Sequence, residues 1–154
     1  MESYCGEVGI TAAEGMIVGS LRSLQEEQIR TWNDHDEASW IDLFNPEATF
    51  SAPGGVRGSG AEMAKMVYHV WHDAFPNNQL KTLQIVDGEE AVVLEGVFEA
   101  THTGTLNAPG GSIPATGKQI AVPFVSVLGV ADGKFTSFAV YFDQLEFLTQ
   151  LGVA

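Results

Sequence analysis

Between Ala12 and Trp32, positions Met16, Ile17, Leu21, Leu24, Gln28 and Ile29 recur at three- and four-residue spacing. That period predicts a helix whose other side carries Gln25, Glu26, Glu27 and Arg30. Gly15 and Gly19 weaken its first turns. Asn33-Asp34-His35-Asp36 breaks the pattern, and Asp34 or Asp36 is suited to cap a second, short helix bearing Ala38, Trp40, Ile41 and Phe44. Pro46 ends it. Ala48–Ser51 reads as a short strand and Pro53–Gly60 as a turn-rich loop. Ser59 is placed to cap a third helix, Ala61–Phe75, with Met63, Met66, Val67, Val70, Trp71 and Ala74 inward.

After Phe75-Pro76-Asn77-Asn78 the period drops to two. Strands are predicted at Gln79–Asp87, Ala91–Thr103, Lys118–Val130 and Lys134–Phe142. Asp87-Gly88 and Asp132-Gly133 mark hairpins. Thr105–Gly117 is a long loop, and Asp143–Leu151 a final short helix. Helices followed by an antiparallel meander predict an α+β domain, with helices packed on one face of a bent sheet.

Alternation also separates faces. In Ala91–Thr103 the even positions Val92, Leu94, Gly96, Phe98, Ala100 and His102 form an apolar face ending in a histidine. Gly96 marks a bend or bulge. The odd positions, with Glu95, Glu99 and Thr101, face solvent or a neighbouring subunit. In the last strand, the odd set Phe135, Ser137, Ala139, Tyr141 and Asp143 carries small side chains in its middle and a phenol and carboxylate at one end. That set is expected to line a ligand pocket, where small residues leave space and one polar pair orients the ligand.

Length and composition fit one domain spanning 1–154: 154 residues, 45% hydrophobic, with segment 1–12 expected to be flexible. A net charge of −13 opposes binding to nucleic acid or anionic membranes. No apolar run of membrane-spanning length occurs and the first residues do not read as a signal peptide, so a cytoplasmic location is expected. The single cysteine, Cys5, has no partner for an internal disulfide and reads as a surface thiol.

Three groups carry candidate chemistry. Asp143 closes a strand and opens a helix. In an apolar pocket, desolvation would raise its pKa toward proton-transfer duty, whereas as an N-cap it would be held ionised. His102 would polarise a carbonyl or shuttle a proton, or else simply bond a loop. Tyr141 would hold a substrate oxygen. Trp32, Trp40, Phe50, Trp71, Phe75, Phe98 and Phe124, with Ser126 and Ala139, are candidates to line the pocket. His69 and His72 lie three apart on a helix beside Asp73, but no further ligands stand at metal spacing, and no metal is predicted. Gly111–Gln119 departs from a phosphate loop in glycine spacing and in Gln119, and it precedes a strand. No serine lies in a nucleophile elbow.

Several segments resemble the SnoaL-like polyketide cyclases, a branch of the NTF2-like superfamily that also holds ketosteroid isomerase and limonene epoxide hydrolase. They are Thr31–Asp36, Leu43–Phe50, Trp71–Pro76, His102–Gly104, Pro114–Lys118, Asp132–Lys134, Tyr141–Gln144 and Gln150–Gly152. The resemblance runs from about Glu26 to the C-terminus. It implies a cone in which helices sit in the mouth of a curved antiparallel sheet, assembled as a homodimer or higher homo-oligomer. It also implies cofactor-free intramolecular aldol cyclisation, with Asp143 at the acid/base position. Departures stand at Ser126, where relatives often carry histidine, and at Phe138-Ala139, where they often carry His-Trp. The Asp-Arg-Asp set of limonene epoxide hydrolase is not evident. Three functions follow as expectations: a cyclase or isomerase moving a proton beside a carbonyl of a small hydrophobic substrate; a non-catalytic module binding such a ligand; and an epoxide hydrolase.

Overall fold

The computed structural model describes the backbone of residues 12–154 and the side chains of 21–154. Cys5, the 1–12 segment apart from the backbone of its last residue, and the side chains of Met16 and Ile17 lie outside them. The chain runs α1 (Ala12–Asn33), α2 (Glu37–Asp42), β1 (Phe44–Ala52), β2 (Val56–Ser59) and α3 (Ala61–Ala74). Then come β3 (Gln79–Asp87), β4 (Ala91–Thr101), β5 (Leu106–Ala108), β6 (Gly111–Ile113), β7 (Gln119–Ala131), β8 (Lys134–Phe142) and α4 (Gln144–Leu151). One six-stranded sheet has the order β2-β1-β8-β7-β4-β3, and β5-β6 form a separate small hairpin. All ladders are antiparallel except β1 on β8, which is parallel. This is the mixed helix-and-curved-sheet cone expected from the change of period. No described helix is long and apolar enough to cross a membrane.

Local chemistry accounts for the joints. Asp36 caps α2, its side chain accepting from Ser39 N–H. Asp132 (φ 53°) and Gly133 (φ 76°) both adopt positive φ, which suits the two-residue β7–β8 turn to the right-handed twist of its strands. α3 departs from expectation: Gly60, at φ 96°, is its N-cap, with no side-chain cap bond, so Ser59 does not serve. Pro46 does not end a helix but lies inside β1. There the β1–β8 register shifts between Phe44 and Thr49, as befits a residue without an N–H. The Pro53–Gly60 and Thr105–Gly117 loops contain β2 and the β5-β6 hairpin.

Two bulges bend the sheet. Between β3 and β4 the register shifts between Thr82 and Gln84, opposite Gly96 and Glu95. A Cβ on Gly96 would lie 2.7 Å from the Lys81 carbonyl oxygen and 3.0 Å from the Phe124 ring, so only glycine permits this approach. Between β7 and β8, Val130 pairs Phe135 and Gly129 pairs Ser137, leaving Thr136 as the extra residue. The Ser137 hydroxyl accepts from Gly129 N–H at 3.1 Å and holds the bulge.

That bulge corrects the face assignment in β8. Phe135 is buried, but one inserted residue inverts the alternation after it, so Phe138, Val140 and Phe142 point into the cone. Ala139 and Tyr141 point to the outer face, where Tyr141 is 60% exposed. In β4 the even face, Val92 to Ala100, is buried as expected.

The core has two aromatic wings. Trp40 packs against Trp32, Phe44 and Tyr68, while Phe75 packs against Trp71, Phe98 and Phe147. α1 departs from the expected polarity at one position: Gln25, assigned to the solvent side, is fully buried.

Candidate functional site

Between α1, α3, α4 and the concave sheet lies a cleft holding about 620 Å³ of atom-free space, its open mouth included. Trp32 lines it from α1, Val67 and Trp71 from α3, and Phe147 from α4. The sheet contributes Leu80, Leu94, Phe98, Val122, Phe124, Phe138, Val140 and Phe142. Trp71 meets Phe98, Phe142 and Phe147 edge-on at 5.4–5.8 Å between ring centres, so the rings brace one another. Trp32 is fixed by its indole N–H, which donates to Asn78 Oδ1 at 2.6 Å.

Among the described residues, two other lining side chains are polar, Gln28 and Ser126. Both are nearly fully buried. Ser126 stands on β7 between Leu94 of β4 and Val140 of β8. Gln28 sits one turn before Trp32 on α1, and its Oε1 accepts from Gln25 Nε2 at 2.7 Å. Among the described residues, no ionisable side chain lines the cleft.

The predicted site residues divide. Trp32, Trp71, Phe98, Phe124 and Ser126 come together in the cleft. Trp40, Phe50 and Phe75 are buried in the wings behind it. Ala139, Tyr141 and Asp143 are not brought to it, and the reason is the Thr136 bulge. Asp143 is exposed and caps α4, its Oδ1 accepting from Glu146 N–H at 3.0 Å.

His102 is fully buried but does not line the cleft. Its Nδ1 accepts from the Thr116 hydroxyl at 3.0 Å and from Thr116 N–H at 3.2 Å, clipping the 102–118 loop to the end of β4. This places the ring proton on Nε2, which has no partner, and burial pushes the ring pKa down. His102 therefore matches the loop-bonding alternative.

His72 is also buried, stacked on Tyr68 at 3.8 Å and packed against Trp32, with its pKa lowered chiefly by burial. His69 is on the surface. Its Nδ1 bonds Asp73 at 3.1 Å and its Nε2 bonds Glu37 at 3.0 Å, and these bonds raise its pKa. Among the described residues no group of three or more His, Cys, Asp or Glu side chains is placed to hold a metal.

Sequence reading did not name Gln28, Val67, Leu80, Leu94, Val122, Phe138, Val140, Phe142 and Phe147 as cleft residues. The signal for the first was present. Leu21, Gln25, Gln28 and Trp32 follow spacings of four, three and four, one helical stripe, but two polar members disguised it.

A helix-capped, curved-sheet cone of this kind is the ketosteroid isomerase-like, NTF2-like fold. Residues 26–138 match the model of the SnoaL-like domain, and the chain belongs to that family. Among solved structures it is similar to AclR from Streptomyces galilaeus, provisionally named a hydroxylase: 26% identity, TM-score 0.74, covering 88% of this chain and 87% of that one. A provisionally named polyketide cyclase from Xanthomonas campestris pv. campestris shares 17% identity at TM-score 0.77, covering 88% and 98%. A Catenulispora acidiphila protein of ketosteroid isomerase-like fold, in complex with trimethylamine, shares 17% identity at TM-score 0.70, covering 85% and 93%. No curated protein matches the chain.

Proposed function

We propose that this SnoaL-like domain binds one small, uncharged, largely aromatic or alicyclic molecule in the cleft. The observation that carries the reading is the described lining: aromatic and aliphatic side chains and two neutral hydrogen-bonding groups, with no charged side chain among the described residues. Moving an apolar ligand from water onto such a wall is favourable by about 25 cal/mol per Å² of apolar surface buried. An ion would lose its hydration with no counter-charge to replace it.

Acid/base cyclisation, the reading attached to Asp143, needs a carboxyl or imidazole within reach of the reacting carbon. Asp143 serves as a cap and His102 as a loop clip, so the geometry favours binding over proton transfer. Epoxide hydrolysis needs a water held by several polar groups, and the neutral Gln28 and Ser126 are poor substitutes for carboxylates in activating it.

Nile red, a neutral fluorophore, tests the reading. Its emission should rise and shift to the blue on mixing with the protein. Val140→Trp, which fills the cleft, should abolish the response, and Ala139→Trp, on the opposite face, should leave it. Equal behaviour of the two variants would refute binding in the cleft. The finding that Asp143→Asn abolishes turnover of an authentic substrate would restore the acid/base reading.

We also infer a homodimer through the outer sheet face. There Val97, Pro123, Val125, Val127 and Tyr141 form a partly exposed apolar surface that no other described residue covers. Such a face favours burial against a second copy.

A further inference from the structure

Gln25 and Gln28 are an expense that the fold does not need. Both side chains are 2% exposed or less, on the helix face that packs against the sheet. Two leucines would fill the same stripe at no polar cost. The pair does not even satisfy itself, since Gln25 Oε1 is buried without a partner among the described residues. What the arrangement achieves is direction. With Gln28 Oε1 turned to Gln25, the Nε2 end is left for the cleft that Gln28 lines, and no described group accepts from it.

The opposite orientation of both amides would leave the buried Gln25 NH2 with neither hydrogen paired. Orphaned N–H groups are rarer in folded proteins than under-used carbonyl oxygens, so the described orientation is the favoured one.

We infer that Gln28 is the specificity-determining residue of the cleft. Its Nε2 donates to an acceptor oxygen, a ketone or ether, on an otherwise apolar and uncharged ligand, and Gln25 is the positioning residue that holds the amide with its donor inward. The inference rests on the binding reading above and goes beyond it by naming the group that is read. With no cation among the described lining residues, a carboxylate would find one hydrogen bond there and no opposite charge, so it is rejected although it too is an acceptor.

Equilibrium dialysis with three matched probes tests this: 2-acetylnaphthalene, 2-isopropylnaphthalene and 2-naphthoate. The ketone should bind about five- to tenfold tighter than the hydrocarbon, the range of one net hydrogen bond. Naphthoate should bind weakest. Gln28→Met, which keeps length and loses the amide, should bring ketone and hydrocarbon within about twofold of each other. Gln25→Leu should narrow the ketone preference, and Gln25→Glu, whose carboxylate cannot donate to Gln28 Oε1, should not restore it. If ketone and hydrocarbon bind the unaltered protein equally, or the preference survives Gln28→Met, the inference is wrong while the cleft still binds. If none of the three binds, the binding reading falls with it.

Discussion

Replacing Gly96 by alanine puts a methyl group where β3, β4 and the cleft wall meet. The added Cβ would lie 2.7 Å from the Lys81 carbonyl oxygen, which is backbone and bound in the β3–β4 ladder, and 3.0 Å from two atoms of the Phe124 ring. A side chain could swing aside, but the carbonyl moves only with its strand. Overpacking of this kind costs about 1–3 kcal/mol. Alanine returns about 0.4–1 kcal/mol by restricting the unfolded chain. The net loss is about 1–2 kcal/mol, which for a domain of this size lowers the melting temperature by about 2–8 °C. The displaced Phe124 ring lines the cleft, so ligand affinity should fall with stability. Gly110→Ala is the control: a Cβ there meets nothing within 4 Å and its φ is not positive, so its melting point should stay at or slightly above the parent value. Differential scanning calorimetry of the three proteins decides the matter. Equal melting temperatures for Gly96→Ala and the parent would refute the claim that the sheet bends here by backbone contact.

Other outcomes follow from single groups. Asp143→Ala should cost about 1 kcal/mol by loss of the α4 cap, and Asp143→Asn, which can also cap, much less; chemical denaturation measures both. His69 binds protons more tightly folded than unfolded, so its bonds to Asp73 and Glu37 contribute stability that is complete below pH 6.5. That contribution should be lost as pH rises through the raised folded value, and a His69→Leu variant should lack this slope. His72 has the opposite sign. Its folded pKa is depressed, so stability is complete above pH 6.5 and falls as pH drops toward the folded value; His72 proton resonances followed against pH should show the depressed midpoint. Light scattering should give a dimer mass for the parent, and Val97→Glu with Val125→Glu should give monomer if the outer sheet face is the interface.

The sequence by itself determined the elements and their order. Periods of about 3.6 and then 2 located three of the four helices and the four long strands nearly to their ends, because those periods follow from backbone geometry alone. Asp36 as a cap and Asp132-Gly133 as a turn were equally legible, since each acts on neighbours within a few residues. Phe98, Phe124 and Ser126 were legible as cleft candidates because nothing interrupts the alternation of β4 and β7 near them, and Trp32 and Trp71 as large aromatics on the helices α1 and α3. The tertiary structure decided the rest. Thr136 carries no mark of its own as a bulge. The insertion exists only in the pairing of β7 with β8, and its consequence is to exchange the two faces of the strand beyond it. Phe138, Val140 and Phe142 thereby enter the cleft, and Ala139, Tyr141 and Asp143 leave it. The spacing already put Gln28 on the inward stripe, but the burial of Gln25 was beyond local reading, because an amide is tolerated inside a protein only when a partner, or a ligand, stands where the packed chain places it.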